Sequence, residues 1–114
     1  MNYTIILLVK ATPQWLTLPR LQRDKFVQTE VRAVLDKFAG QCSIRLFDCD
    51  FTHAHVSDFM IIETANLEQY GYLIGYLRES KTLAAPYFEI KDIIIGVPNN
   101  FRGSMDIDDI RQAV

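Results

Sequence analysis

An excess of charge of either sign is nearly absent from this sequence. Its 12 lysines and arginines face 14 aspartates and glutamates, a formal net charge of -2. It therefore lacks the positive field that draws a chain onto DNA, RNA or an anionic membrane. No apolar run approaches the roughly 20 residues that a membrane span needs. The opening MNYTIILLVK has neither the basic flank nor the small-residue cleavage site of a secretory signal. It is expected to be a buried strand in a protein that stays in the cytoplasm. Cysteine is scarce: Cys42 and Cys49 are the two present. Both fall in one predicted strand, roughly 20 Å apart at about 3.3 Å per residue, whereas a disulfide needs Cα atoms within about 7 Å. Two reduced thiols are expected. The C-x-x-C pair of a thiolate metal carrier is missing, as are a Gly-rich phosphate cradle and a nucleophile elbow. So are repeats, low-complexity runs and linkers, and no cofactor is implied.

What is present is the ordinary globular mix, 49% apolar and 23% charged over 114 residues, enough for one domain with one core. Residues 3–10, YTIILLVK, read as a strand apolar on both parities, and such a strand is covered on both faces. ATPQWLTLP follows as a loop, with Pro19 suited to a first helical turn. From Pro19 to Ala39 the spacing turns helical, with Val27, Val31, Val34, Leu35 and Phe38 on one stripe and Gly40 as the stop. CSIRLFDCDF (42–51) and VSDFMIIET (56–64) read as strands joined through THAH. NLEQYGYLIGYLRES is a second helix opened by a capping box from Asn66 to Gln69. Leu67, Tyr70, Leu73, Ile74 and Leu77 form its stripe, and Gly71 and Gly75 are expected to allow close packing on the sheet. YFEIKDIIIGV (87–97) is the last strand. Residues 1–98 make the domain, and 99–114 a tail that could end in a short helix capped by Ser104.

The order βαββαβ predicts an α+β, ferredoxin-like plan: a four-stranded antiparallel sheet with two helices on one face. That plan leaves the other face open, yet its strands alternate Met60 and Ile62 with Phe59 and Ile61, and Ile90 and Ile94 with Ile93 and Ile95. Each such side chain is worth about 1.5–3 kcal/mol on burial, so a cover is expected. A second copy would supply it, giving a homodimeric α/β barrel. RNA recognition is excluded, because the third strand carries Asp58 and Glu63 and no Lys or Arg where that module needs basic residues.

Chemistry concentrates in RLFDCDFTHAHVSD. His53 and His55, two apart, could join Asp48 or Asp50 as a two-His, one-carboxylate metal site, or one of them could move protons beside Asp50. A solvated hairpin end is the plainer account, and no metal is assigned. Asp58 and Asp92 interrupt apolar strands, with Arg45 as a candidate ion-pair partner for one of them. Trp15 would cap a pocket or pack beneath its own loop. Tyr72 and Tyr76 are placed on the helix surface, where a partner could touch them.

The segments TPQWLTLP, RLFDCDF, VSDFMIIET, YLRES and PYFEIKDIIIG resemble those of the darcynin family of small bacterial proteins, with spacing intact from about residue 3 to 98. The matching positions are Thr12, Pro13, Trp15, Leu16, Arg45, Phe47, Asp48, Val56, Ser57, Asp58, Glu63, Thr64, Leu77, Arg78, Glu79, Tyr87, Phe88 and Glu89. The resemblance implies a ferredoxin-like fold related to dimeric α/β barrels. It brings no assigned reaction and no catalytic residues. One departure is Leu18, where the family tends to place a helix-capping Ser, so that cap must come from elsewhere.

Together these readings predict a small-molecule site enclosed between the sheets of the dimer. Trp15, Arg45, Asp48, Asp58 and Tyr87 would be its ligand-binding residues, with Arg45 holding an anionic group. Nothing in the residues decides between binding alone and cofactor-independent catalysis. The competing expectation is a non-catalytic module that docks a partner protein on its helix face and tail.

Overall fold

The structure, a computed structural model, describes residues 2–80 and 87–99. β1 (Tyr3–Ala11) leads into a short α1 (Pro13–Thr17), then α2 (Arg20–Phe26), a π-helical turn (Val27–Val31) and α3 (Arg32–Phe38). β2 (Ser43–Asp48) and β3 (Asp58–Thr64) follow, then α4 (Leu67–Glu79) and β4 (Phe88–Gly96). All pairings are antiparallel in the order β2-β3-β1-β4. This is the four-stranded ferredoxin-like plan, with β1 in the interior of the sheet. The expected tail helix, Ser104 included, lies outside the described residues.

Side chains alternate across a strand, so paired residues share a face. Ile5, Leu7 and Val9 stand with Ile62, Met60 and Asp58 of β3 and with Ile44, Leu46 and Asp48 of β2. This is the helix side. The core gathers there: Ile5, Leu7 and Ile62 are fully buried against Val34, Phe38, Leu73 and Leu77.

The opposite face is apolar at its centre and charged at its margins. Its centre is Ile6, Leu8, Phe59 and Ile61, but Ile94 is 50% exposed, Phe47 37%, and charged side chains border the apolar strip. Arg45 and Glu63 form a 3.6 Å ion pair at the β2–β3 end. Lys10, Glu89 and Asp92 lie across the sheet at the β1–β4 edge.

The segment expected to be a loop after β1 is instead a short helix. The Thr12 side chain accepts from the Trp15 amide at 3.3 Å, and Pro13 opens the first turn. Thr at the cap and Pro just inside is a favourable helix start, an N-terminal signal that outweighs the two prolines as loop markers. Pro19 then caps α2 through its backbone rather than entering it. Its carbonyl accepts from the amides of Gln22 and Arg23 at 2.9 and 3.1 Å, and no side chain supplies the cap left open by Leu18.

The long helix does not run uniformly. At Arg32 the amide reaches back to the Val27 carbonyl, the wider i to i−5 spacing of a π turn. The Thr29 hydroxyl donates to the Lys25 carbonyl at 2.8 Å, competing with the regular ladder there. Beyond the turn, Val34 and Phe38 are buried, whereas Val27 at its start is 40% exposed. The N-terminal half therefore stands off the sheet.

In α4 the side chain of Asn66 accepts from the Glu68 amide at 2.9 Å. The reciprocal bond expected from Gln69 is replaced by Thr64, whose Oγ1 accepts from the Asn66 amide at 3.2 Å. Tyr70, Leu73 and Leu77 are buried as predicted, but Leu67 is 39% exposed because it sits in the first turn, at the end of the helix's contact with the sheet. Cys42 and Cys49 flank β2 rather than share it, and both are free thiols.

Gly71 and Gly75 make no close packing contact among the described residues, where a Cβ at either would meet nothing within 4 Å. Glycine inside a helix costs about 1 kcal/mol relative to alanine. Gly71→Ala and Gly75→Ala are each expected to stabilise the fold by about 0.5–1 kcal/mol, seen as a higher urea midpoint at constant slope. A lowered midpoint would show that this helix face is occupied.

Candidate functional site

Where α2 and the π turn stand off the sheet, a cleft of about 320 Å³ opens. Val9, Leu46 and Met60 form its sheet wall, Val27 and Val31 its helix wall, with Trp15 and Phe88 at one end. A second, more polar cleft of about 340 Å³ adjoins it, lined by Lys10, Arg23, Asp48, Asp50, His53, Ser57 and Asp58. Trp15, Asp48 and Asp58 border both.

Trp15 is held by aromatic edges. Its ring lies 4.9 Å from that of Phe88, 5.3 Å from Tyr87 and 5.5 Å from Phe26. Trp15 packs among rings from α2 and the start of β4 rather than under its own segment, and it borders both clefts. Tyr87 stands behind it, its ring 5.1 Å from Phe26 and its carbonyl accepting from the Thr12 amide. It supports the wall and does not line either cleft.

Asp58 pairs directly with Asp48 across β2 and β3. Like charges at such a position repel. Burial raises the Asp58 carboxyl above the ordinary carboxylate range, and the charges of Asp48 and Asp50 add to this, against a hydrogen bond from Ser57. Ser57 is itself fixed, its Oγ accepting from the Ala11 amide at 2.7 Å. The Asp48 side chain accepts from the Asp50 amide at 3.1 Å, and this neighbour also raises Asp50. Burial and the same carboxylates raise the Cys49 thiol, which disfavours a reactive thiolate.

The turn between β2 and β3 engages His53. Its Nδ1 accepts from the amides of His55 and Val56 at 3.1 and 3.0 Å, so that nitrogen serves the turn. The segment is not extended, and the two rings meet at 76° with centroids 6.1 Å apart. Among the described residues no three His, Cys, Asp or Glu side chains gather as a metal site. The two-His, one-carboxylate arrangement does not form. His53 and Asp50 border the polar cleft, while His55 is exposed outside it.

Arg45 is the main departure. Odd-numbered on β2, it belongs to the face away from the helices, paired with Glu63 and set over the Phe47 ring at 5.8 Å. It meets neither Asp58 nor Asp92. Asp92 is exposed and accepts from the Ile93 amide at 2.8 Å. The structure thus brings together Trp15, Asp48 and Asp58 and separates Arg45 from them. Sequence reasoning missed Arg23, Val27, Val31 and Met60 as site residues. Arg23, Val27 and Val31 are spaced by four, and a charge extending an apolar helical stripe was a legible signal.

Solved structures share this fold at low identity. A chlorite dismutase from Candidatus Nitrospira defluvii in complex with imidazole matches with a TM-score of 0.73 at 13% identity, over 83% of this chain and 39% of that one. A haem-binding protein from Thermus thermophilus matches at 0.75 and 14%, over 97% and 43%. The chain thus spans well under half the length of these proteins. Among the described residues no helix is long and apolar enough to cross a membrane. A darcynin homolog from Granulibacter bethesdensis is 32% identical over 86% of this chain and 78% of its own length. Another from Streptomyces avermitilis is 29% identical over 94% and 88%. The family model for darcynin, described as a domain of unknown function, matches residues 1–111 and so continues past the segments that first suggested it. By this match and these relatives, the chain belongs to the darcynin family.

Proposed function

We propose that the cleft between the sheet and the lifted half of the first long helix binds a small, largely apolar molecule. Asp58 would meet its polar group. The observation that carries this is Asp58 itself, a half-buried carboxyl facing Asp48 with no ion-pair partner among the described residues, beside an apolar cleft. A cleft of about 320 Å³ falls in the range of small-molecule sites, which combine apolar walls with a few polar groups. The raised carboxyl can donate or accept a hydrogen bond to a ligand, and could exchange a proton with it. This cleft is on the helix side of the sheet, whereas the sequence reading placed the site between the sheets of a dimer.

One related fold is that of a haem-binding protein, so haem is a natural candidate. The lining does not fit it. Haem iron is held by His, Cys, Met or Tyr, and Met60 is the one such side chain on the apolar cleft.

A second copy is proposed as the cover of the open face. Ile6, Leu8, Phe59, Ile61 and Ile94 form a strip whose rim carries both signs, Arg45 and Lys10 against Glu63, Glu89 and Asp92. Two copies can meet there about a two-fold axis without a wall of like charge. The free thiols support a cytoplasmic, reducing setting. The interaction-module reading is weaker: Tyr76 is already engaged by Phe38 and Lys37, and Tyr72 by Glu68.

Trp15, the single tryptophan, reports on the cleft. Hexan-1-ol is expected to change its fluorescence saturably, and Val31→Phe, which fills the cleft, to remove that response. A linear response, or one unchanged in the variant, would refute the cleft reading.

The sign of the Asp58 effect follows from its raised carboxyl. Its stabilising contribution is complete below the unfolded value and is lost as pH rises through the folded one. At pH 7 the ionised group is a liability, so Asp58→Asn should stabilise by about 0.5–1 kcal/mol, with the gain shrinking as pH falls. Thermal unfolding across pH 4–8 tests this, and a destabilised variant at pH 7 would assign the carboxylate a structural role.

Light scattering at about 10 µM should give twice the chain mass, and Ile94→Asp should halve it by placing a charge in an apolar contact. A wild-type monomer at that concentration would remove the dimer.

A further inference from the structure

Arg23 has no counterpart in the reading so far. Its Nε is buried without a hydrogen-bond partner, and among the described residues it forms no ion pair. It lines the polar cleft, which shares Trp15, Asp48 and Asp58 with the apolar one. A buried guanidinium donor left unmet is costly, and native proteins seldom leave one without a water or ligand acceptor. Guanidinium suits an oxyanion because its charge is fixed and its donors form a fork matching a carboxylate.

Placement adds direction. Arg23 precedes Val27 and Val31 by four and eight residues, so the helix that walls the apolar cleft also carries the cation at its polar end. Arg20 lines a neighbouring groove with Arg23, Trp15 and Asp24. Arg45, first assigned to this task, is spent on Glu63 across the sheet.

We infer that Arg23 is the anion anchor of this site and that its ligands are small amphipathic carboxylates. The acid end lies at Arg23 in the polar cleft, and the apolar body passes Trp15 into the space between Met60 and Val27. This rests on the cleft reading above and adds the chemical class.

The test compares three probes of one chain length, hexanoate, hexan-1-ol and hexylamine, titrated at pH 7 against Trp15 fluorescence. Hexanoate is expected to bind about tenfold more tightly than the alcohol, the size of one charge-assisted contact. Arg23→Met should abolish that preference, so that acid and alcohol bind alike, and Arg23→Lys should keep part of it. Equal binding of acid and alcohol by the wild type would overturn the anchor while leaving the cleft intact. Tighter binding of hexylamine would overturn it in favour of the aspartates. Retained acid preference in Arg23→Met would move the anchor elsewhere. Failure of all three probes would refute both the anchor and the cleft.

Discussion

Which way each side chain of this protein faces follows from the register of β1 against β3. Val9 stands opposite Asp58, and Asp58 in turn opposite Asp48. A slip of one residue would send Ile5, Leu7 and Val9 to the other face and empty the core, because the side-chain period is two. The aliphatic burial that prevents the slip also fixes Asp58 and Asp48 on the helix side and Arg45 on the opposite one. The site's acids are therefore held in place by a packing constraint that has nothing to do with their own chemistry.

The second element is the interruption of the long helix. A continuous α-helix packed along its whole length would bring Val27 and Val31 onto the sheet and close the space above Met60. The π turn lets Val34 and Phe38 remain buried while the preceding half stands away. Such turns recur where a helix borders a site. The exposed apolar surface at Val27 and the facing carboxylates at Asp48 and Asp58 both lower stability. Functional sites often carry such costs, balanced by the rest of the fold, and here the dense layer of Ile5, Leu7, Ile62 and Leu73 offsets them.

The two faces of the sheet divide the work. The helix side carries core and cleft. The other side carries an apolar strip bordered by ion pairs, a surface suited to another protein surface rather than to a small ligand. The structure separates two residues that the sequence had placed in one enclosed space, Asp48 on the helix side and Arg45 on the other, and parity along β2 is what separates them.

Much of the architecture was legible beforehand. The alternation in YTIILLVK, the helical stripe ending at Phe38, the Asn66 cap and the order βαββαβ are local patterns, and local sterics and solvation enforce them. Trp15, Asp48 and Asp58 stood out because an aromatic in a connecting segment and charges in apolar strands are costly without a purpose. The short helix at Pro13, the π turn, the spare glycines of α4 and the pairing of Arg45 with Glu63 were not legible. The first two turn on single local hydrogen bonds that compete with other local choices, and the last two on which residues come to lie alongside. The sequence by itself determined the four strands, the two long helices and their order, because period and propensity act over a few residues. Only the tertiary structure decided that Arg23 and Asp58 border one cleft while Arg45 turns away, because that depends on register and on how far a helix stands from its sheet.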